Sequence, residues 1–173
     1  MALIVEDNTG RPDADSYLEV AAAAARLVAL GFAAFPALAT ADAAKAEAFL
    51  RRSTIRVDEV VNAYPRGVPL NVDQALALPR SGLFIQGRLA DGDVVPRLAL
   101  DLCAIGAEVE ALGLATASTP GTDSNIKRIR RASGAEVEFF AGAKLSEAQR
   151  EASDTWSRMA VELRFDAPGG LPI

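Results

Sequence analysis

Basic residues are concentrated in one run of the chain. Lys127, Arg128, Arg130 and Arg131 flank a single apolar residue, Ile129. Clustered lysine and arginine side chains are the chemistry that binds phosphate groups. Taken alone, the run therefore predicts a contact with nucleic acid.

The sequence after this run changes its interpretation. An Ala-Ser-Gly turn follows, and a three-residue loop that ends in glycine is a common β-hairpin connection. It predicts a hairpin over about residues 126–140, in which Arg130 faces Glu136 and Arg128 faces Glu138. Each such cross-strand ion pair contributes roughly 0.2–1 kcal/mol. Half of the basic run is then neutralised within the hairpin.

Three further side chains of the hairpin remain available for contacts. Lys127 and Arg131 have no acidic residue opposite them, and Phe139 lies on the apolar face. We therefore expect a structural hairpin that contacts a neighbouring subunit. Phosphate binding by the basic run stays as the alternative.

Groups for catalysis are scarce. The chain has no histidine, which removes the commonest general base, the commonest metal ligand and the usual activator of a nucleophile. Cys103 is the only cysteine, so no internal disulfide and no thiolate zinc site can form. Phosphate-loop, dinucleotide-binding and nucleophile-elbow motifs are absent from the sequence. We expect no enzymatic activity and no cofactor.

The carboxylates do not form a compelling site either. Glu108 and Glu110 are two positions apart in a predicted helix, so they point to different sides. Asp7, Asp13 and Asp15 lack the loop pattern of a calcium site and suit turn and cap positions. No metal site is expected.

Composition favours a single acidic, helix-rich domain. The chain has 173 residues, a formal net charge of -5 and 50% hydrophobic residues, many of them alanine. An acidic chain is poorly suited to wrapping nucleic acid. No apolar stretch reaches the roughly 18 residues of a membrane span, and the N-terminus lacks the basic start of a signal peptide. We expect no membrane association and a protein made in the cytoplasm.

Helical spacing and caps predict four helices. The first runs from Asp15 or Ser16 to about residue 31, and the second covers residues 41–64. The third runs from Pro96 to about residue 112, and the fourth from Ser146 to about residue 164. Residues 32–39 are expected to be a loop. The fold class is mainly α: a small helical bundle with a protruding β-hairpin and an extended C-terminal arm.

The end of the chain is expected to lie outside the helical domain. The predicted domain covers residues 1–165, and residues 166–173 contain two prolines and two glycines, which exclude a helix. Leu171 and Ile173 are apolar residues on this tail. They are candidates for docking on a neighbouring molecule, although a free tail is the simpler alternative.

The order of several motifs resembles a known family. These motifs are Val5-Glu6-Asp7-x-Thr9-Gly10, Ala14 to Tyr17, the Gln-Ala-Leu element from Gln74 to Arg80, a helix entered at Val95-Pro96, and a charged hairpin near Arg130 to Glu138. Together they resemble the DnaT-like single-stranded DNA-binding proteins of tailed phages. The resemblance covers about residues 3–140. Leu78 stands where that family often has tryptophan.

That family in turn resembles head-tail connector, or adaptor, proteins of phages and phage-like particles. The resemblance implies a homo-oligomeric ring, typically a dodecamer, between the portal protein and the next neck protein (the stopper). DNA would pass through its lumen without sequence-specific binding. The implied location is the neck of the virion, assembled in the bacterial cytoplasm. A phage replication protein that binds single-stranded DNA is the alternative function.

Overall fold

A computed structural model describes most of the chain. The described residues are 2–63, 67–85, 88–114, 128–130, 136–138 and 145–163. The fold is mainly α, as the sequence predicts. The helices are α1 (Val20–Ala29), α2 (Ala34–Ala41), α3 (Ala43–Ala63), α4 (Arg97–Ala111) and α5 (Glu147–Glu162).

Helix α4 is the centre of the core, because it contacts the four other helices. Its residues from Leu102 to Val109 are all buried. Gly106 allows this close packing, since a Cβ there would collide with the hydroxyl of Ser53 on α3 and lie 3.1 Å from Nε1 of Trp156 on α5. The Ser53 hydroxyl instead donates to the backbone carbonyl of Cys103 at 2.6 Å.

The three longest helices match their predictions closely. Helix α3 buries Leu50, Thr54, Val57 and Val61, the face expected from their spacing. Helix α5 begins at the predicted cap, where the Ser146 hydroxyl accepts the Gln149 N–H in a capping box. Cys103 is fully buried, and burial raises its pKa to about 11, so it acts as a small apolar side chain in the core.

The predicted start of the first helix is wrong. Ser16 does not cap α1, because it forms an isolated parallel β-bridge with Val5. Its hydroxyl donates to the backbone carbonyl of Leu18 at 2.8 Å, which holds this stretch in a turn. The helix therefore starts only at Val20.

The predicted loop over residues 32–39 is also wrong, because α2 forms there. The helix has no side-chain cap of its own. Instead the carboxylate of Glu108 on α4 accepts the N–H groups of Ala34 at 2.9 Å and Phe35 at 2.7 Å. A distant carboxylate thus satisfies the N-terminal donors of α2.

The described strands form three separate antiparallel pairs. They are β1 (Val68–Pro69) with β2 (Arg80–Ser81), β3 (Phe84–Ile85) with β4 (Arg88–Leu89), and β5 (Arg128–Arg130) with β6 (Glu136–Glu138). The first two pairs lie in a part of the chain that is rich in glycine and proline. The third is the predicted hairpin.

Apart from Met1, six segments lie outside the described residues. They are residues 64–66, 86–87, 115–127, 131–135, 139–144 and 164–173. The ends of the hairpin and the C-terminal arm belong to them. The division into a domain of residues 1–165 and a tail of residues 166–173 therefore stays a prediction.

Candidate interaction surfaces

The central register of the hairpin is confirmed. Arg128 pairs with Glu138 and Arg130 pairs with Glu136, as the turn predicts. Ile129 pairs with Val137 between them. The remaining candidates, Lys127, Arg131, Phe139, Leu171 and Ile173, lie outside the described residues.

The arginines of α3 have partners inside the subunit. Arg52 and Arg56 both pair with Glu110 on α4, at 3.0 Å and 2.5 Å. Arg51 pairs with Asp15 at 2.7 Å. These guanidinium groups join α3 to α4 and to the N-terminal segment.

Three further arginines of the described residues also have acidic partners within the subunit. Arg26 on α1 and Arg97 on α4 share Asp101, at 2.5 Å and 3.4 Å. Arg11 binds Asp13 at 2.9 Å, and this hydrogen bond lowers the pKa of the Asp13 carboxyl. A phosphate would have to compete with these carboxylates for each guanidinium.

Aromatic rings are also used for the fold. Within the described residues every aromatic side chain is buried or half-buried. These side chains are Tyr17, Phe32, Phe35, Phe49, Phe84 and Trp156. Single-stranded nucleic acid usually stacks its bases on exposed rings. This part of the chain therefore offers no stacking platform.

A buried hydrogen-bond cluster anchors the Gln-Ala-Leu element to α3. The Tyr17 hydroxyl donates to one carboxylate oxygen of Asp58 and accepts the Leu78 N–H at 3.0 Å. The other oxygen of Asp58 accepts the Ala77 N–H at 3.1 Å. Two adjacent backbone amides of the element are thereby held by side chains from distant parts of the chain. The element packs within its own subunit.

Burial shifts the ionisation of this cluster. Removal from water raises the pKa of Asp58 to about 6, although the hydrogen bonds from Tyr17 and Ala77 oppose the shift. Burial also raises the pKa of Tyr17 well above its usual value. Asp58 therefore changes its charge close to neutral pH. No sequence pattern signals this shift, because the cluster depends on contacts between distant segments.

A cavity of about 240 Å³ lies between the Gln-Ala-Leu element and the C-terminal part of α3. Asp58, Asn62 and Arg80 line its polar side, and Pro69 and Val72 lie on its apolar side. Arg80 Nη1 donates to Asn62 across it at 3.4 Å. The cavity places apolar residues beside the last turns of α3.

These apolar residues belong to an exposed surface that sequence reasoning missed. Val68, Leu70 and Val72 are 67%, 39% and 97% exposed, and we call them the apolar strip. Val68 belongs to β1, whereas Leu70 and Val72 lie in the bend and the turn that follow it. The alternation could have been noticed in the sequence, but two prolines and a glycine nearby suggested an irregular stretch.

The described residues contain no group of three or more His, Cys, Asp or Glu side chains placed to hold a metal ion. No helix among them is long and apolar enough to cross a membrane.

Comparison with curated proteins and with solved structures gives no match. A family model matches residues 1–164, which is nearly the whole chain, and the description of that family is "Putative DnaT-like ssDNA binding protein". The family resemblance seen in the motif order is thereby confirmed, and the chain belongs to this DnaT-like family.

Proposed function

We propose that this protein is a structural subunit of a head-tail adaptor ring in a tailed phage or phage-like particle. One observation carries the proposal: the described residues use their aromatic rings and most of their arginines for internal contacts and leave apolar side chains exposed. Such a surface suits contacts with other protein subunits better than contacts with phosphate or bases.

The charge of the chain supports the same role. A ring of subunits that each carry a net charge of -5 would repel the phosphates of a duplex in its lumen. Repulsion lets DNA slide, whereas a basic lining would hold it. No catalytic group or cofactor is needed for this function.

The proposed partners follow from the position of a neck ring. Copies of this chain contact one another, the portal protein lies above, and the next neck protein lies below. The hairpin reaches a neighbouring subunit or the next ring, and Leu171 and Ile173 dock on the portal. The ring assembles on the virion in the bacterial cytoplasm.

Particles that lack the protein test this role. We expect electron microscopy to show filled or leaking heads without attached tails, and supplying the intact chain in trans should restore tailed particles. Normal infectious particles without the protein would contradict an adaptor role.

Binding of single-stranded DNA is the second candidate function, and the family description favours it. The basic run of the hairpin would then make the contacts. Arg128 and Arg130 stand opposite Glu138 and Glu136 in the register, whereas Lys127 and Arg131 have no acidic residue opposite them in the sequence. Binding through this run would depend mainly on charge.

A salt titration separates the two candidates. If the second is correct, neutralising Lys127, Arg128, Arg130 and Arg131 should abolish binding of an oligonucleotide. The slope of log affinity against log salt should fall by up to about 3. Replacing the exposed Arg150 and Arg158 by glutamine is a control that removes charge elsewhere. Absence of binding by the intact chain at moderate salt would exclude the second candidate.

A further inference from the structure

The N-terminal segment has one free backbone edge. The Ile4 carbonyl accepts the Ser16 N–H at 3.2 Å, and the Glu6 N–H donates to the Ser16 carbonyl at 2.9 Å. Leu3 and Val5 alternate with these residues and form no backbone hydrogen bond among the described residues. Successive residues of a strand direct their backbone groups to opposite edges. The groups of Leu3 and Val5 therefore lie at an edge that a strand of another chain can join.

An open groove of about 580 Å³ lies beside this segment. Residues 2–5 line it, and α1 and α3 contribute Val20 and Glu47. Its apolar residues Leu3, Val5 and Val20 are only half-buried. A strand that paired with the free edge would also cover these side chains, as in other cases of strand addition.

The unpaired charge of the groove is negative. Glu19 lines the groove at the start of α1, is exposed, and has no ion pair among the described residues. The two other charged residues of the lining already have partners in the subunit. Glu47 pairs with Arg51 at 3.5 Å, and Arg11 pairs with Asp13 at 2.9 Å. A strand that enters the groove should therefore carry basic residues.

The hairpin is a pair of strands with little support from its own subunit. Strands β5 and β6 pack on each other, and among the described elements they make no comparable contact with a helix. A two-stranded hairpin alone is at best marginally stable in water. Because the sheet has two strands, β5 keeps one free edge. Strand β5 reads Arg-Ile-Arg, whereas β6 reads Glu-Val-Glu, so charge matches β5 and not β6 to the groove.

We propose that β5 of one copy adds to the free edge of residues 3–5 in the next copy, with its arginines beside Glu19. Backbone hydrogen bonds to Leu3 and Val5 hold the two copies together, and the charge selects the strand. The contact joins the hairpin of one copy to the N-terminal segment of the next in a sheet of more than two strands. Each copy uses two different surfaces, as a ring requires. The inference rests on the proposed ring and names the contact that closes it.

Hydrogen exchange of the full-length chain, followed by mass spectrometry of N-terminal fragments, tests the edge directly. The Leu3 and Val5 amides should exchange at least about tenfold more slowly in the oligomer than in the monomer, because pairing protects them. The Ile4 amide is the matched control, since it already donates to the Asp15 carboxylate at 2.8 Å within the subunit. Its protection should change little on assembly.

A proline at the free edge tests whether the backbone makes the contact. Val5→Pro removes an N–H of that edge but leaves the bonds of Ile4 and Glu6 to Ser16. It should raise the concentration needed for assembly at least about tenfold in sedimentation velocity. The control Val5→Thr keeps the N–H and a branched side chain and should assemble like the intact chain. Equal assembly of a folded Val5→Pro variant, verified by circular dichroism, would contradict the contact.

Charge exchange tests the choice of strand. Glu19→Arg should weaken assembly about two- to fivefold, because it places like charges together. Exchanging the charges within the hairpin should weaken it similarly, although every opposite pair of the hairpin register is kept. The two changes combined should recover most of the loss, whereas Glu151→Arg on α5 in place of Glu19→Arg should not. The exchange consists of Arg128→Glu, Arg130→Glu, Glu136→Arg and Glu138→Arg.

The outcomes separate this inference from the function on which it rests. An intact chain that stays monomeric at all concentrations would contradict the ring, and the contact with it. A chain that forms rings while its Leu3 and Val5 amides still exchange rapidly would contradict only the contact. The same holds if a strand of a different neck protein, and not a second copy, is needed to protect these amides.

Discussion

Helix α2 and the Gln-Ala-Leu element are each attached to the helical core by one carboxylate. Glu108 accepts the Ala34 and Phe35 N–H groups at the start of α2. Asp58 accepts the Ala77 N–H and the hydroxyl of Tyr17. The same kind of side chain thus anchors a helix in one region and an irregular segment in the other.

The difference lies in what faces each carboxylate. The N-terminus of a helix offers several unpaired N–H groups and the positive end of the helix dipole, which favour a negative charge. Asp58 instead accepts one amide of the Gln-Ala-Leu element and the phenol of Tyr17, and burial raises the pKa of Asp58 to about 6.

Removing the carboxylate at the helix end should have the largest effect. Glu108→Ala leaves the Ala34 and Phe35 N–H groups without their partner in a buried site. We expect a loss of about 3 kcal/mol in the free energy of unfolding, measured by urea denaturation. The control Glu151→Ala removes an exposed carboxylate from α5 and should change stability by less than about 0.5 kcal/mol. Equal losses in the two variants would show that Glu108 does not hold α2.

Removing the hydroxyl of Tyr17 should lower the free energy of unfolding less than removing the carboxylate of Glu108. Tyr17→Phe removes the hydroxyl that joins Asp58 to the Leu78 N–H and leaves both groups without that partner. We expect a loss of about 2 kcal/mol in the free energy of unfolding and faster hydrogen exchange at the Leu78 amide.

The exposed hydroxyl of Thr40, which donates to the Pro36 carbonyl at 3.2 Å, supplies the control. Thr40→Ala should leave exchange at Leu78 unchanged. Unchanged exchange in Tyr17→Phe as well would mean that the element is held by packing alone.

The shifted pKa of Asp58 predicts a dependence on pH. Because the folded-state pKa lies above the unfolded value of 3.8, the folded protein binds a proton at a higher pH than the unfolded chain does. This contribution to stability is complete below the unfolded value and is lost as pH rises through about 6. The free energy of unfolding should therefore be about 1 kcal/mol greater at pH 5 than at pH 7.

The composition of the chain helps to separate the titration of Asp58 from that of other groups. No histidine titrates between pH 5 and 7. Asp7 and Asp13 have lowered pKa values, so they remain charged throughout this interval. The variant Asp58→Asn should remove the dependence when urea denaturation is repeated at both pH values. A stability that falls from pH 7 to pH 5 in the intact chain would contradict the assignment.

The sequence predicts the elements that depend on near neighbours. The spacing of apolar residues places α3 and α4, the cap at Ser146 places α5, and the turn fixes the hairpin register. Each of these signals lies within a few residues of the structure that it specifies.

There is a physical reason why the sequence does not predict the two anchored regions. Helix α2 depends on Glu108, which is 74 positions from Ala34 along the chain. The cluster at Asp58 joins Tyr17 and Leu78, which are 61 positions apart. No local pattern marks such contacts, so sequence reasoning predicts a loop where α2 forms and gives no sign of the cluster.

The smallest expected effect on stability concerns the strip itself. Val72→Ser should change the free energy of unfolding by less than about 0.5 kcal/mol, because the side chain is almost fully exposed in the subunit. Thermal unfolding at a concentration where the chain is monomeric measures this.

The result decides whether Val72 contributes to the stability of the subunit. Unchanged stability means that the exposed side chain of Val72 does not stabilise the Gln-Ala-Leu element. A loss as large as that of Tyr17→Phe would mean that Val72, which lines the cavity beside Asp58, belongs to the second anchor.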